Sequence, residues 1–529
     1  MQKNIPHHLL QFITGQFVTR QCLYFLIALA SAGCGDTGET TFQLRVGASE
    51  VKITPALGET YLDYNGNNRW EEDEPFDDRN GNKVFDPLWI ANDVRRAALE
   101  IHDDLYVNAV VFEFDGKRIG MFGLDSFGHS FTELELIRQH RDYPGLGLDL
   151  VIMGSSHTHE GPDTIGLYGP SLLESGVNPA YMEYVRDQVI EALVNAVASL
   201  RPASMETAMI HTGLDTYQID QRDPVIVDDL LSVIRFRSTE FDQVFATVIN
   251  WASHPEQVIN GSSISADFVG AWRKAQKETH PRSIPIFFQG ALGGQIGSNN
   301  ISFTYQDALF AACNDCSYEK ADALGNILSE LTESAMEKGE MVDNPAITYK
   351  QASILLPLDN NGFQSIFNAG TIKREVFDKD GAPLARDITP GEKDVYLKSE
   401  MVYLRIGDVS MLSVPGELHP ELAIGGYDGS ATPGGIDALW SANNTGIENL
   451  QNAPRPPYLR DLMDTRVTMI LGVTQDFTGY IIPPFNFDLH PETPYVNSHD
   501  WDHHYEETNA LGPRVAEVIQ KTAIELIEK

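Results

Sequence analysis

The chain has 529 residues, of which 42% are hydrophobic, and its formal net charge at pH 7 is −37. This length allows one very large domain or two to three ordinary ones, and the apolar content is sufficient for a folded core. A surface this negative repels nucleic acid and anionic membranes and favours cations, which excludes the nucleic-acid-binding classes.

The N-terminus has the pattern of a secretory signal. Residues 1–33 contain basic but no acidic side chains and include an apolar run of eleven residues. That run is too short to cross a bilayer, and small residues follow it at the expected cleavage site. The sequence Ser-Ala-Gly-Cys34 is similar to a bacterial lipoprotein processing site, with Cys34 as the lipidated residue. We expect a lipoprotein of the bacterial cell envelope (periplasm or outer membrane) that contacts the membrane through Cys34, or a secreted protein, with residues 34–43 as a polar tether.

An acidic insertion at residues 63–87 contains two copies of one loop pattern. Each copy has oxygen-bearing side chains at loop positions 1, 3 and 5 and an acidic residue at position 9. Calcium loops supply their ligands in this order, although glycine falls here at position 4 instead of 6. Two Asn-Gly turns in an acidic loop are the alternative. The predicted ligands of structural calcium are Asp63, Asn65, Asn67, Glu71 and Glu74 in the first loop and Asp78, Asn80, Asn82 and Asp86 in the second.

From residue 44 onward, short apolar strands alternate with amphipathic helices. Strands are predicted at 44–55, 106–114, 117–122, 150–153, 205–210, 230–237, 244–251, 284–288, 402–406, 409–414 and 468–473. Helices are predicted at 132–140, 178–200, 318–336 and 513–529, the second of them capped by Asn178 and Pro179. This pattern predicts an α/β fold with mixed β-sheets flanked by helices, in one large domain over residues 44–529.

Histidine, glutamate and tyrosine side chains follow several of these predicted strands. His157 and His159 come after one strand, and His254, Glu417 and Tyr480 come after three others. Residues i and i+2 of an extended segment point to the same face, so both imidazoles of the first pair can enter one site. Open α/β sheets bind ligands at the carboxyl edge of their strands. On its own the histidine pair is equally consistent with an ordinary surface loop.

Cys313 and Cys316 are the two cysteines that follow Cys34 in the sequence. In an exported protein a local disulfide between them is the preferred interpretation, and redox catalysis is the alternative. A zinc ribbon would need a second pair of cysteines, which the sequence lacks.

Seven short motifs are spread in order over residues 46–513. They are Ser156-His-Thr-His-Glu-Gly-Pro162, Asn250-Trp-Ala-Ser-His254, Ile264-Ser-Ala-Asp-Phe-Val-Gly270, Phe288-Gln-Gly-Ala-Leu-Gly-Gly294, Val414-Pro-Gly-Glu417, Asp476-Phe-Thr-Gly-Tyr-Ile481 and Tyr505-Glu506. In this order the motifs resemble those of the neutral, non-lysosomal ceramidase family. Each motif alone is weak, and their shared order makes the resemblance specific.

The resemblance implies a zinc-dependent hydrolase of amides. Zinc would be held by two imidazoles and two oxygen ligands and would lower the pKa of a bound water to ~7, so that hydroxide attacks a carbonyl carbon. The Tyr505 hydroxyl would help zinc to stabilise the oxyanion, and His159 would transfer a proton to the leaving group. The implied zinc ligands are His157, His254, Glu417 and Tyr480.

Other positions have weaker assignments. Asp267 is predicted to orient a ligand histidine or a proton carrier, and Asp125 is a second candidate for such a role. Arg222 resembles a family position that contacts substrate, or it is a plain surface arginine. Glu417 has an alternative role as the cap of a helix that opens at Pro420. A polar loop carries three further histidines that we interpret as exposed, namely His499, His503 and His504.

Two departures from the family limit the expected substrate. Ile296 stands where ceramidases have serine, and Ala291 stands where they have asparagine; an apolar side chain cannot donate a hydrogen bond to a sphingoid hydroxyl or an oxyanion. Because the last predicted element is a helix, we expect no counterpart of the β-sandwich domain that follows in full-length ceramidases. We therefore expect a zinc hydrolase of an N-acylated lipid or a related small amide. The alternatives are an esterase or peptidase of the same fold and a non-catalytic, calcium-dependent surface-binding lipoprotein with dispersed His157, His254 and Glu417.

Overall fold

The computed structural model describes residues 43–528 except 215, 297, 314–315, 441–449 and 499–503. The leader and Cys34 therefore lie outside the described residues. Within the described part, no helix is both long enough and apolar enough to span a bilayer.

The strands and helices alternate along the chain, as the sequence predicts. The strands are β1 (Arg45–Lys52), β2 (Glu100–Ile101), β3 (Tyr106–Phe114), β4 (Lys117–Leu124), β5 (Leu150–Ser155), β6 (Arg201–His211), β7 (Leu230–Ser238), β8 (Gln243–Trp251), β9 (Ser263–Ile264), β10 (Ile284–Gln289), β11 (Phe303–Tyr305), β12 (Ala308–Phe310), β13 (Glu340–Met341), β14 (Ile347–Pro357), β15 (Tyr396–Ile406), β16 (Val409–Ser413), β17 (Glu417–Leu418), β18 (Val467–Leu471) and β19 (Tyr480–Ile481). The α-helices are α1 (Phe131–Arg138), α2 (Pro179–Ala198), α3 (Asp267–Thr279), α4 (Tyr318–Met336), α5 (Asn361–Ala369), α6 (Pro420–Ile424) and α7 (Val515–Glu528).

Two mixed sheets form the centre of the molecule. The larger sheet runs β10-β8-β7-β6-β1-β3-β4-β5, with β13 beside β6, and the smaller runs β14-β15-β16-β18. The pairs β8–β10, β4–β5 and β16–β18 are parallel, and the other pairs of these two sheets are antiparallel. The predicted α/β class with mixed sheets is confirmed.

The two sheets pack face to face, and helices cover their outer faces. On β5, Leu150 and Ile152 enter the core between the sheets, while Val151 and Met153 pack against α1 and α2. Helices α3 and α4 cover β7, β8 and β10, and α7 covers the smaller sheet. Because both faces of these strands are buried, their sequences are almost continuously apolar, which is why they can be recognised in the sequence.

Helix α2 illustrates how local sequence sets an element. The Asn178 side chain accepts hydrogen bonds from the backbone amides of Ala180 and Tyr181 at 3.0 and 3.1 Å, and Pro179 occupies the first turn. Asparagine caps and an early proline are both typical of helix starts. The predicted start of this helix is confirmed.

Strand β14 and helix α3 were not predicted from the sequence. β14 lies at an edge of the smaller sheet and alternates exposed polar with partly buried residues, so it lacks the apolar run of the central strands. α3 begins inside a stretch that matches a family loop, and its outer face is polar. In both cases tertiary packing decides the conformation.

Gly154 provides a test of how closely β5 and β10 pack. A Cβ at Gly154 would lie 2.6 Å from the buried ring of Phe288. We expect Gly154→Ala to lower the free energy of unfolding by about 1–3 kcal/mol, because the ring cannot move without disturbing the core. The matched control is Gly145→Ala, where a Cβ would have no neighbour within 4 Å and where we expect a change within about 0.5 kcal/mol. Urea denaturation of both variants measures the difference, and equal stabilities would contradict this packing.

Candidate metal centre and its cavity

His157, His254 and Glu417 meet where separate strands end. His157 follows β5 with a left-handed φ of 68°, and His254 follows β8. Glu417 follows β16 and opens β17, which pairs in parallel with β19 and places Tyr480 beside it in register. The cap of α6 is His419, so the alternative role of Glu417 as a helix cap is wrong.

The ring nitrogens of the two histidines face one carboxylate oxygen. Glu417 Oε2 lies 3.0 Å from His254 Nε2 and 3.5 Å from His157 Nε2. On the opposite side of each ring, Nδ1 lies 2.7 Å from the Phe127 carbonyl oxygen or 3.0 Å from that of Gln295. A carbonyl oxygen only accepts, so each Nδ1 carries a proton and each Nε2 of a neutral ring presents a lone pair to the carboxylate. A positive centre between the rings and the carboxylate, either a metal ion or a proton on one Nε2, satisfies both sides.

The spacing and burial of these groups fit a metal ion. Two ligands about 2 Å from a tetrahedral zinc ion lie about 3.3 Å apart, close to both observed separations. His157, His254 and Glu417 are all buried. Burial raises the pKa of the Glu417 carboxyl, but the His157 and His254 imidazoles outweigh that effect and lower the pKa to about 2. The site therefore presents a carboxylate to any bound cation across the neutral pH range.

His159 lies beside His157 and His254. The possible ligand atoms of His157, His159 and His254 lie within 4.8 Å of one another. His159 Nδ1 lies 3.0 Å from Asn92 Oδ1 and 3.1 Å from Glu256 Oε1, whereas Nε2 is buried without a hydrogen-bond partner among the described residues. Burial and the two neighbouring imidazoles hold the pKa of His159 well below its usual value. Its Nε2 lone pair is therefore available to a ligand at neutral pH.

Glu256 and Asn92 are functional candidates that the sequence reasoning missed. Glu256 lies only two residues beyond the predicted ligand His254, and this closeness in the sequence could have marked it as a candidate. Asn92 lies in a loop between the acidic insertion and β2, where no motif marks it.

The hydroxyls of Tyr480 and Tyr505 also belong to the site. Tyr480 Oη and Tyr505 Oη lie 3.2 Å apart. Burial and the nearby carboxylates, Glu417 and Glu506 at Tyr480 and Glu506 and Glu256 at Tyr505, raise the pKa of both phenols well above the usual value. Both phenols are therefore protonated hydrogen-bond donors at neutral pH in the absence of a metal. Metal ligation by Tyr480 stays a prediction.

A cavity of about 800 Å³ opens above these residues. His157, His159, Glu417, Tyr480 and Tyr505 all line it. A pocket of this volume with a few convergent polar groups is typical of a small-molecule site. Its walls are largely apolar and include Phe127, Ile165, Leu167, Tyr168, Ile259, Ile296, Phe363, Phe367, Ile372, Leu397, Phe477 and Leu511.

Asp267 supports the site through the backbone. Its Oδ2 accepts hydrogen bonds from the amides of Gln257 at 2.8 Å and Val258 at 3.3 Å, and thereby holds the segment that follows His254. Asp125 instead forms an ion pair with Arg273 at 2.7 Å. Neither carboxylate has a described hydrogen bond to a histidine ring.

Arg222 requires a correction. It is buried, so its alternative assignment as a plain surface arginine is wrong. It does not line the cavity, and its contact with substrate stays a prediction. Its guanidinium donates to Glu506 Oε2 at 2.8 Å and to Glu507 Oε1 at 2.7 Å, the two residues that directly follow Tyr505. Arg222 therefore fixes the backbone from which Tyr505 reaches the site.

The loop that carries the three additional histidines is only partly described. His504 is buried, with Nδ1 3.1 Å from Arg222 Nη2 and 3.1 Å from Glu507 Oε1, so its predicted exposure is wrong. The physical reason is that His504 Nδ1 lies within hydrogen-bond distance of two buried charged groups, the Arg222 guanidinium and the Glu507 carboxylate. His499 and His503 lie outside the described residues.

The two acidic loops fold in the same way. Asp63 Oδ1 accepts the amide of Gly66 at 2.7 Å, and Asp78 Oδ1 accepts the amide of Gly81 at 2.8 Å. The remaining predicted ligands Asn65, Asn67 and Glu71, and Asn80, Asn82 and Asp86, are joined by side-chain hydrogen bonds within each loop.

A buried glutamate closes each loop. Glu74 accepts amides at both ends of the first loop, from Tyr64 at 2.9 Å and Glu71 at 3.0 Å. Glu59 does the same for the second loop, accepting the amides of Arg79 at 2.9 Å and Asp86 at 3.0 Å. The second loop thus has a counterpart of Glu74 that precedes it in the sequence.

Cys313 and Cys316 form a disulfide, with Cα atoms 5.6 Å apart.

The comparisons with known proteins give a fold. No family model and no curated protein matches the chain. The neutral ceramidase from Pseudomonas aeruginosa has a similar structure, with a TM-score of 0.61 and 14% sequence identity over 92% of this chain and 74% of that one. A ceramidase complexed with C2 gives a TM-score of 0.60 and 14% identity over 92% and 75%. The chain has the neutral ceramidase fold, which confirms the family resemblance at the level of structure.

The role of Arg222 can be tested through stability. We expect Arg222→Met to lower the free energy of unfolding by about 3–5 kcal/mol at neutral pH, because it leaves the Glu506 and Glu507 carboxylates buried and unpaired. Burial opposes ionisation of Glu507, but Arg222 and then His504 outweigh it and lower its pKa to about 2, so this stabilisation is present above pH 4.5 and is lost as the pH falls through 2. In the folded variant the two unpaired, buried carboxyls bind protons more readily than they do in the unfolded chain. The loss of unfolding free energy relative to the wild type should therefore become smaller as the pH falls towards 4.

The matched control for this variant is Arg45→Met. Arg45 pairs with Glu113 at 2.6 Å but its side chain is 45% exposed, so we expect a cost of at most about 1 kcal/mol. Denaturant unfolding at pH 7 and pH 4 measures both variants. Unchanged stability of Arg222→Met would contradict the supporting role.

Proposed function

We propose that this protein is a zinc-dependent hydrolase that cleaves the amide bond of an N-acylated lipid or a related small amide. One observation carries the proposal. His157 Nε2, His254 Nε2 and Glu417 Oε2 converge beside a largely apolar cavity of about 800 Å³ that His157 and Glu417 line.

Zinc is the metal that these ligands favour. Two imidazole nitrogens and one carboxylate oxygen suit Zn²⁺ better than Mg²⁺ or Ca²⁺, which prefer oxygen ligands throughout. Tyr480, in register with Glu417, is the fourth ligand suggested by the ceramidase resemblance. A zinc ion held here would supply Lewis acidity and a water with a pKa of ~7.

The surrounding side chains supply positioning and proton transfer. The Tyr505 hydroxyl stays protonated. It donates a hydrogen bond to the oxygen on which negative charge develops when a carbonyl is attacked. His159 presents an unpaired Nε2 that takes a proton from the attacking water and passes it to the departing amine. These roles fit hydrolysis of a linear amide.

Helix α5 supports an acyl chain as part of the substrate. The Gln364 side chain donates to the carbonyl oxygens of Leu358 and Glu392, both at 2.8 Å, and so anchors the helix by its polar face. Phe363 and Phe367 are one helical turn apart and line the cavity. Two aromatic rings that the fold leaves partly uncovered suit an alkyl chain.

Ile296 limits the part of the substrate that is not the acyl chain. It packs with Tyr480 and Ile482 beside the proposed zinc site, where ceramidases have serine. An isoleucine offers no hydrogen bond, so this position favours an amide with fewer hydroxyl groups than ceramide.

Esters and peptides remain alternative substrates of the same chemistry, and the substrate panel below separates them. The non-catalytic alternative requires His157, His254 and Glu417 to be dispersed, and their convergence argues against it.

We also propose that the acidic loops bind calcium as a structural element and that Cys34 anchors the exported protein. Glu59 closes the second loop as Glu74 closes the first, so each loop brings a buried carboxylate to its predicted oxygen ligands.

Metal content and hydrolysis test the proposed function together. We expect the purified wild type to hold near-stoichiometric zinc and to release fatty acid from at least one member of a panel of N-acyl sphingoid bases, N-acyl amino acids and acyl esters. His157→Ala and Glu417→Ala should lose both properties, because each removes a ligand.

The matched control is His211→Ala, since His211 has a 77% exposed side chain and should leave zinc and activity unchanged. Zinc that survives both ligand substitutions would contradict the site. Release from esters alone would reject the amidase assignment in favour of an esterase.

Calcium binding is tested by thermal unfolding. We expect calcium at 100 times its Kd to add about 2.7 kcal/mol of stability per site and to raise Tm by several degrees over a chelated sample. Glu59→Gln and Glu74→Gln should each reduce this gain, whereas the exposed Glu72→Gln in the same insertion should not. The same Tm with calcium and with chelator would contradict the proposal.

A further inference from the structure

We propose that Glu256 positions His159 for proton transfer and stabilises its charged form, an inference that rests on the proposed hydrolase. The carboxylate of Glu256 lies 3.1 Å from His159 Nδ1, and its side chain is only 3% exposed. Neither the sequence motifs nor the ceramidase resemblance marks this residue.

Asn92 fixes which nitrogen of His159 carries the proton. The Asn92 amide nitrogen donates to the Ile259 carbonyl oxygen at 3.4 Å, which turns Asn92 Oδ1 towards His159 Nδ1 at 3.0 Å. His159 Nδ1 therefore faces two acceptors, Asn92 Oδ1 and Glu256 Oε1, and must donate. The lone pair of the neutral ring then lies on Nε2, the nitrogen that is buried without a partner beside His157 and His254.

Charge explains why Glu256 is needed in addition to Asn92. In the proposed reaction a water proton moves to His159 Nε2 as the new C–O bond forms, and the same proton passes to the amide nitrogen as the C–N bond breaks. Between these two events His159 is an imidazolium whose side chain is only 7% exposed, so water does little to stabilise its charge. Asn92 supplies orientation but no charge, whereas the Glu256 carboxylate, 3.1 Å from His159 Nδ1, offsets the transient cation.

The backbone of Glu256 is held by the same segment as the metal ligand His254. The Glu256 amide donates to the His254 carbonyl oxygen at 3.0 Å, and the next amide, that of Gln257, donates to Asp267. One short loop therefore sets both the ligand and the partner of the proton carrier.

Glu256→Gln tests the role of the charge, because glutamine keeps the shape and an acceptor oxygen. We expect kcat to fall about 10²- to 10⁴-fold on the best substrate of the panel, with KM and zinc content unchanged. The matched control is Glu160→Gln. Glu160 is also buried and follows His159 directly in the chain, but its carboxylate accepts from the Tyr318 hydroxyl at 2.8 Å. Its kcat should stay within a few-fold of the wild type.

A double variant tests whether the charge itself matters. Combining Glu256→Gln with Asn92→Asp moves the carboxylate from residue 256 to residue 92, the other acceptor that faces His159 Nδ1. Asn92 has a left-handed backbone with φ of 87°, which aspartate tolerates. We expect the double variant to recover part of the lost kcat. No recovery over Glu256→Gln, with zinc retained, would overturn the charge role.

An NMR measurement separates this inference from the proposed function. In the wild type, a downfield imidazole N–H proton that disappears in His159→Asn identifies His159 Nδ1–H, and Glu256→Gln should move it upfield as the charge-assisted hydrogen bond is lost. If the wild type hydrolyses nothing on the panel, the proposed function fails, and this resonance still tests the contact. An unchanged resonance, or loss of zinc from Glu256→Gln, would overturn the inference.

Discussion

The approach of His157 and His254 to the Glu417 carboxylate is the interaction on which the site depends. Two imidazole lone pairs and an anionic oxygen are buried together at separations of 3.0 and 3.5 Å, and both outer ring nitrogens donate to carbonyl oxygens. Without a cation this cluster would be costly to bury. The two packed sheets supply the rigidity that keeps these groups together, because each group follows a strand that is fixed by the core.

A layer of buried polar residues holds the reactive side chains in place. Arg222 ties down the turn that carries Tyr505, and Asp267 holds the loop that carries His254 and Glu256. Arg222 does not itself line the cavity, and the Asp267 carboxylate accepts from backbone amides. The arrangement resembles other metal sites in which the orientation of ligands and proton carriers depends on partners that never touch the substrate.

The parts of the fold and site that the sequence predicts are those encoded locally. Buried strands give apolar runs, Asn178-Pro179 gives a helix start, and His157, His254 and Glu417 stand where such runs end. The rest depends on contacts between distant segments. The partners of Arg222 lie 284 and 285 residues further along the chain, so its burial and that of His504 could not be read from neighbouring residues. Asn92 and Glu59 likewise act through side-chain directions that only the folded chain defines.

Anomalous diffraction at the zinc absorption edge, from crystals of the wild-type protein, tests the central claim most directly. The account predicts a single strong zinc peak within about 2.0–2.2 Å of His157 Nε2, His254 Nε2 and a Glu417 oxygen, with His159 outside that distance. A peak elsewhere in the molecule, or one bound by His159 in place of Glu417, would contradict the account.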